Sequence, residues 1–91
     1  MPETLVQNRI LKLDRRDNVM IALADLRAGE EVNLGGETYG TVTDVPAKHK
    51  FALKEFAPGD QIIMYGVLVG KATQPIGKGE VITTRNIRRV P

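Results

Sequence analysis

Ninety-one residues with 13 Lys and Arg against 11 Asp and Glu carry a net charge of +2, too even a balance to point at nucleic acid by itself. The chain has no cysteine and no serine, which excludes a disulfide framework, a thiolate metal site and the usual activated nucleophiles. No run approaches the roughly 20 apolar residues that cross a bilayer, and Met1-Pro2-Glu3-Thr4 lacks the basic-then-apolar pattern of a signal peptide, so the expectation is a cytoplasmic protein with no membrane partner.

A chain of this size forms one domain, residues 1–91, and buries only about two-thirds of its unfolded surface. Its size therefore invites a partner, a second copy of the chain included. Two Phe, two Tyr and no Trp leave Val, Ile and Leu to build the core, and β-branched cores favour sheets.

In chain order, residues 7–13 alternate, with Ile10, Leu11 and Leu13 apolar among Asn8, Arg9 and Lys12, and residues 14–18 are polar. This predicts a strand and a turn. From Asn18 the chain enters a continuous apolar run through residue 24, whose Val and Ile content predicts a buried strand. Gly35-Gly36, between Val32-Asn33-Leu34 and Thr38-Tyr39-Gly40, is a hairpin signal, because two-residue primed turns need positive φ. Gly66, between Ile62-Ile63-Met64-Tyr65 and Val67-Leu68-Val69, reads as a bend or bulge between two strand halves. Single helical turns are expected at residues 24–28 and 54–57.

One phrase recurs. Leu26-Arg27-Ala28-Gly29-Glu30, Phe56-Ala57-Pro58-Gly59-Asp60 and Ile76-Gly77-Lys78-Gly79-Glu80 share an apolar residue, two further residues, a glycine and an acid. The glycines lie 30 and then 20 residues apart, too irregular for a solenoid, and read as a recurring local device. Each copy plugs an apolar residue into the core, turns at a glycine and launches a strand. The acids Glu30, Asp60 and Glu80 are expected to accept backbone hydrogen bonds inside their turns.

The candidate chemistry lies in Asp44-Val45-Pro46-Ala47-Lys48-His49-Lys50-Phe51-Ala52-Leu53, where the only histidine stands between two lysines at the start of an apolar segment. An imidazole of ordinary pKa near 6.5 suits a general base, a metal ligand or a donor to a carboxylate. The bland alternative is a turn histidine bonded to a backbone carbonyl. One nitrogen donor is too few for a metal site, which needs three or four convergent ligands, so no metal is expected on this chain alone. The arginines Arg85, Arg88 and Arg89 crowd the last seven residues, where a solvated tail, a partner surface, a substrate carboxylate and nucleic acid compete; no aromatic interleaves with them, which argues against nucleic acid.

The ordered set Asp17-Asn18-Val19, Ala22-Leu23-Ala24-Asp25-Leu26, Ala28-Gly29-Glu30, Pro46-Ala47-Lys48-His49-Lys50-Phe51-Ala52-Leu53, Gly59-Asp60, Ile63-Met64-Tyr65-Gly66 and Gly79-Glu80 resembles the amino-terminal SAF-type domain of the altronate and galactarate dehydratases, over about residues 9–88. The resemblance implies an all-β, β-clip fold and a hydro-lyase that dehydrates sugar acids to 2-keto-3-deoxy acids, with a divalent metal such as iron on a large catalytic subunit and no cofactor on this chain. It implies that this chain is a small subunit working with that large one, inactive alone, with the sugar acid bound at their junction. The sulfolactate sulfo-lyases resemble this organisation too, and a free-standing SAF-type ligand-binding or regulatory module is the reading from another class. Under the resemblance His49 becomes the catalytic candidate, with Lys48, Lys50, Arg85 and Asn86 as substrate contacts. One departure stands out: where the family has a His-x-His-Asn stretch after the last Gly-Glu, this chain reads Thr83-Thr84-Arg85-Asn86. Both imidazoles are absent, and Arg85 is expected to hold a substrate carboxylate instead.

Overall fold

The computed structural model describes residues 4–90. Among them the secondary structure is strand, bridge and turn only, in ten short strands: β1 (Leu5–Val6), β2 (Ile10–Lys12), β3 (Val19–Ala22), β4 (Glu31–Leu34), β5 (Glu37–Gly40), β6 (Lys50–Ala52), β7 (Gln61–Met64), β8 (Val67–Ala72), β9 (Val81–Ile82) and β10 (Ile87–Arg89). The all-β class is as expected, but the two helical turns are not present. Residues 24–28 and 54–57 instead run as irregular chain through the isolated bridges Leu26↔Val45 and Phe56↔Ile76. Each bridge residue is buried, so tertiary pairing overrides the weak local helix preference.

A five-stranded sheet in the order β1-β2-β3-β6-β9 forms the centre, and the hairpin β4-β5 and the three-stranded sheet β10-β8-β7 complete the fold. Val19 of β3 and Ala52 of β6 belong to one hydrophobic cluster, with Phe56, Ile62, Ala72, Ile76 and Ile82. Their neighbours Met20 and Phe51 belong to the other, with Ile10, Ala22, Leu26, Val32, Leu34 and Val45. Both strands are thus covered on both faces, which is why the sequence there runs apolar without alternating.

The recurring glycine turns are part of a larger duplication. From β3 the chain passes Leu26 and Gly29, makes the β4-β5 hairpin, and passes Val45 and Lys48 into β6; from β6 it passes Phe56 and Gly59, makes the β7-β8 hairpin, and passes Ile76 and Gly79 into β9. The backbone bonds repeat with it. The Lys48 amide donates to the Ala22 carbonyl at 2.7 Å and the Gly79 amide to the Ala52 carbonyl at 2.8 Å. The return bonds, Ala22 N to His49 O and Ala52 N to Glu80 O, are 2.9 and 3.0 Å. A register shift at Ile62/Ile63 inserts one extra residue in β8, so the second half is one residue longer.

Two consequences differ from the sequence reading. The glycine device has a fourth copy, Val45-Pro46-Ala47-Lys48-His49, hidden because a lysine occupies the glycine site at φ 73° and a histidine the acid site. Gly66 is not a bend between strand halves but the second residue of a two-residue hairpin turn whose first residue is Tyr65, at φ 58° and 73° against 60° and 84° for Gly35 and Gly36. A tyrosine at that position masks the usual turn signature. The three acids behave as expected: Glu30 accepts from the Arg27 amide at 2.5 Å, Asp60 from Ala57 at 2.8 Å and Glu80 from Gly77 at 2.9 Å.

Candidate functional site

The fourth turn carries the histidine to the surface. Residues 47–49 turn between the Val45 bridge and β6, the His49 amide donates to the Pro46 carbonyl at 3.0 Å, and the Ala47 amide is held by Asp25 Oδ1 at 2.8 Å. The His49 ring is exposed, and its Nδ1 lies 3.4 Å from the Ala47 carbonyl, too long and too dependent on the tautomer to fix the ring. The imidazole is therefore free to meet a ligand.

Beside it a cavity of about 460 Å³ is walled by Lys48, His49 and Lys50 on one side and by Ile82, Thr83, Thr84, Ile87 and Arg89 on the other. The first group comes from the fourth turn and β6, the second from β9, the turn after it and β10. No acidic side chain lines it, and among the described residues Lys48, Lys50 and Arg89 make no ion pair. Three unneutralised cations around one hollow attract an anion, and the hydroxyls of Thr83 and Thr84 and the imidazole add uncharged polar contacts. Holding Lys48 at positive φ in a slot that glycine fills in the other three turns stores strain, which points to a use for its side chain.

Of the residues singled out from sequence, Lys48, His49 and Lys50 come together here and the other two do not. Arg85 is exposed on the turn after β9 and does not line the cavity. Asn86 is only 4% exposed, and its side chain is engaged inside its own turn: Oδ1 accepts from the Thr83 amide at 2.9 Å and Nδ2 donates to the Val81 carbonyl at 3.0 Å. It shapes the turn that presents Thr83 and Thr84 and does not line the cavity. Arg89, which was not among the expected substrate contacts, lines the cavity where Arg85 does not. The signal was present, because Ile87 and Arg89 are two apart and share a face once residues 87–89 are read as a strand.

The chain's only imidazole has lysines for neighbours, and among the described residues no three of His, Cys, Asp and Glu converge, so these side chains do not supply a metal's ligand set. Among the described residues there is no helix long and apolar enough to cross a membrane.

Fold and cavity together define a small β domain with a cation-lined cleft between a duplicated turn and the carboxy-terminal strands. A family model described as the altronate/galactarate dehydratase SAF domain matches residues 8–90, and the chain belongs to that family. Altronate dehydratase of Escherichia coli (strain K12) is 40% identical over 78 residues, and altronate dehydratase of Bacillus subtilis (strain 168) is 35% identical over 78 residues. Each alignment covers 86% of this chain and 16% of the relative, so the chain spans about one-sixth of the length of the curated relatives it matches.

Proposed function

We infer that this chain is the small subunit of a sugar-acid dehydratase, binding and helping to enclose the substrate beside a separate large catalytic chain. The observation that carries the reading is the acid-free cavity, with Lys48, Lys50 and Arg89 around it and His49 at its rim, in an altronate/galactarate dehydratase SAF domain. Arg89 and Lys50 hold the substrate carboxylate, Arg89 through its planar fork and Lys50 as a point charge. Thr83 and Thr84 face the sugar hydroxyls. Dehydration removes the proton α to the carboxylate and expels the β-hydroxyl as water, and the resulting enol becomes the 2-keto acid. His49 is the group of this chain that can give a proton to the departing hydroxyl; the base belongs to the large chain.

One observation favours a second reading of the substrate. Three cations exceed the charge of a single carboxylate, which suits an acid with two anionic groups, either an aldarate or the sulfonate and carboxylate of a sulfolactate-type substrate. The test is to assay the chain with a large dehydratase chain against altronate, galactarate and sulfolactate, following formation of the keto acid. Activity that requires both chains supports the reading. A large chain fully active without this one would overturn it.

A further inference from the structure

The duplication supplies an internal control for the β7-β8 hairpin. Leu34-Gly35-Gly36-Glu37-Thr38 and Met64-Tyr65-Gly66-Val67-Leu68 occupy the same positions, with Leu34↔Glu37 closing one turn and Met64↔Val67 the other. The first tip is polar and self-satisfied: Thr38 Oγ1 bonds Asn33 Oδ1 at 2.6 Å, and the Tyr39 hydroxyl donates to Glu37 at 2.9 Å. The second tip exposes Tyr65 at 56%, Val67 at 57% and Leu68 at 37%. The fold itself does not need them, since the first hairpin makes the same turn with glycine, glutamate and threonine. Tyr65 moreover sits at φ 58°, where a bulky residue is strained. Exposed apolar groups on a strained turn mark an interaction surface.

The tip continues inward into a cleft of about 350 Å³, where Met64, Leu68, Val69 and Ile87 make an apolar floor ending at Lys50 and Arg89. Those two cations are shared with the anion cavity, so whatever fills the cleft closes one side of that cavity. On the opposite face of β8, Lys71 stands directly across from Arg88, a like-charge pair that disfavours a second copy and favours an acidic neighbour.

We propose that the β7-β8 tip and the cleft beneath it dock a protein partner that places an apolar side chain in the cleft and, reaching around the β10 edge of the three-stranded sheet, a carboxylate toward Arg88 and Lys71 on its other face. The proposal rests on the small-subunit reading and identifies the surface on which the large chain sits, closing the cavity from the hairpin side. The test grafts the first tip onto the second, Tyr65→Gly with Val67→Glu and Leu68→Thr, keeping Gly66, whose amide donates to Asp17 Oδ1 at 2.9 Å. Because this chain already folds those residues in the equivalent turn, the midpoint of thermal unfolding should hold or rise. Affinity for the large dehydratase chain, measured by calorimetry, should fall at least tenfold, and wild-type affinity should weaken as salt rises. Unchanged affinity in the grafted chain overturns the proposal while leaving the small-subunit reading intact. Absence of association in the wild-type chain removes both. A graft that abolishes self-association of this chain but not its binding to the large chain assigns the tip to a second copy and overturns the proposal as well.

Discussion

Lys48 holds in one half of the molecule the backbone site that Gly79 holds in the other. Their φ angles are 73° and 85°, and each donates its amide across the central sheet, to Ala22 and Ala52 respectively. The glycine is required where it stands, because a Cβ at Gly79 would run into the Gly40 carbonyl. The lysine occupies the equivalent turn with its side chain in the cavity wall. Lys48→Gly should therefore separate stability from binding. Relief of positive-φ strain, on the order of 1–3 kcal/mol, less the extra chain entropy of glycine, roughly 0.5–1 kcal/mol, predicts a net gain of about 1 kcal/mol in chemical denaturation. KM for the acid substrate should rise. A variant that is less stable than wild type would show that the strain argument is mistaken.

Arg89 and Arg85 are separable by mutation. Removing a charge-assisted bond to a carboxylate costs about 1.5–3 kcal/mol, so Arg89→Gln should raise KM by about tenfold or more with a smaller change in kcat. Arg85→Gln, on the exposed turn, should leave both constants within about twofold. Steady-state kinetics of the two variants in the assembled enzyme decides between them, and the reverse ranking would return the carboxylate to Arg85.

His49→Gln keeps a polar side chain and removes proton transfer. Loss of a general acid is worth about 10²-fold or more in kcat, with KM affected less, and the fold should be unchanged because the ring makes no fixed bond. Equal kcat in the variant and the wild-type enzyme would reduce His49 to an exposed turn residue.

Asn86 is a structural residue by its contacts, and Asn86→Ala leaves the Thr83 amide and the Val81 carbonyl without their partner. A destabilisation of about 1–3 kcal/mol is expected. Hydrogen exchange should localise the loss to residues 81–87, the turn between β9 and β10.

Glu30 offers a pH test. Its carboxyl is held below its usual 4.5, first because the carboxylate accepts the Arg27 amide and then because the Arg9 guanidinium bonds it. A folded-state value below the unfolded one means that the carboxylate adds stability above the ordinary carboxylate range, and that this is lost as pH falls through the lowered value. The difference in stability between wild type and Glu30→Gln should be steady from about pH 7 to about pH 5.5 and shrink below about pH 4.5. It should also be small, since the pair is only partly buried and is screened by solvent and salt. A difference that grows on acidification would contradict the assignment.

Local pattern was enough to read the β class, the hairpin at Gly35-Gly36, three of the glycine turns and the hydrogen-bonding role of their acids. Each of these depends on backbone conformations set within a few residues. The fourth turn and the Tyr65 hairpin were not legible for the same reason seen from the other side. Lys48 and Tyr65 hold glycine-like conformations that neighbouring residues alone would not impose, and bonds made across the fold, such as those from Lys48 to Ala22 and from Gly66 to Asp17, hold the two turns in place. The candidate site divides along the same line. Lys48, His49 and Lys50 are adjacent in sequence and travel together into any structure. Arg89 joins them, and Arg85 does not, because β10 pairs with β8 and carries the Ile87 and Arg89 face over the cavity beside β6. By itself the sequence determined the β class, the glycine-marked turns at Gly29, Gly35-Gly36, Gly59 and Gly79, and which family the chain belongs to. Which cations share a hollow, and which apolar side chains are left facing water, was decided by the packing of strands some 40 residues apart, where burial and pairing outweigh local preference.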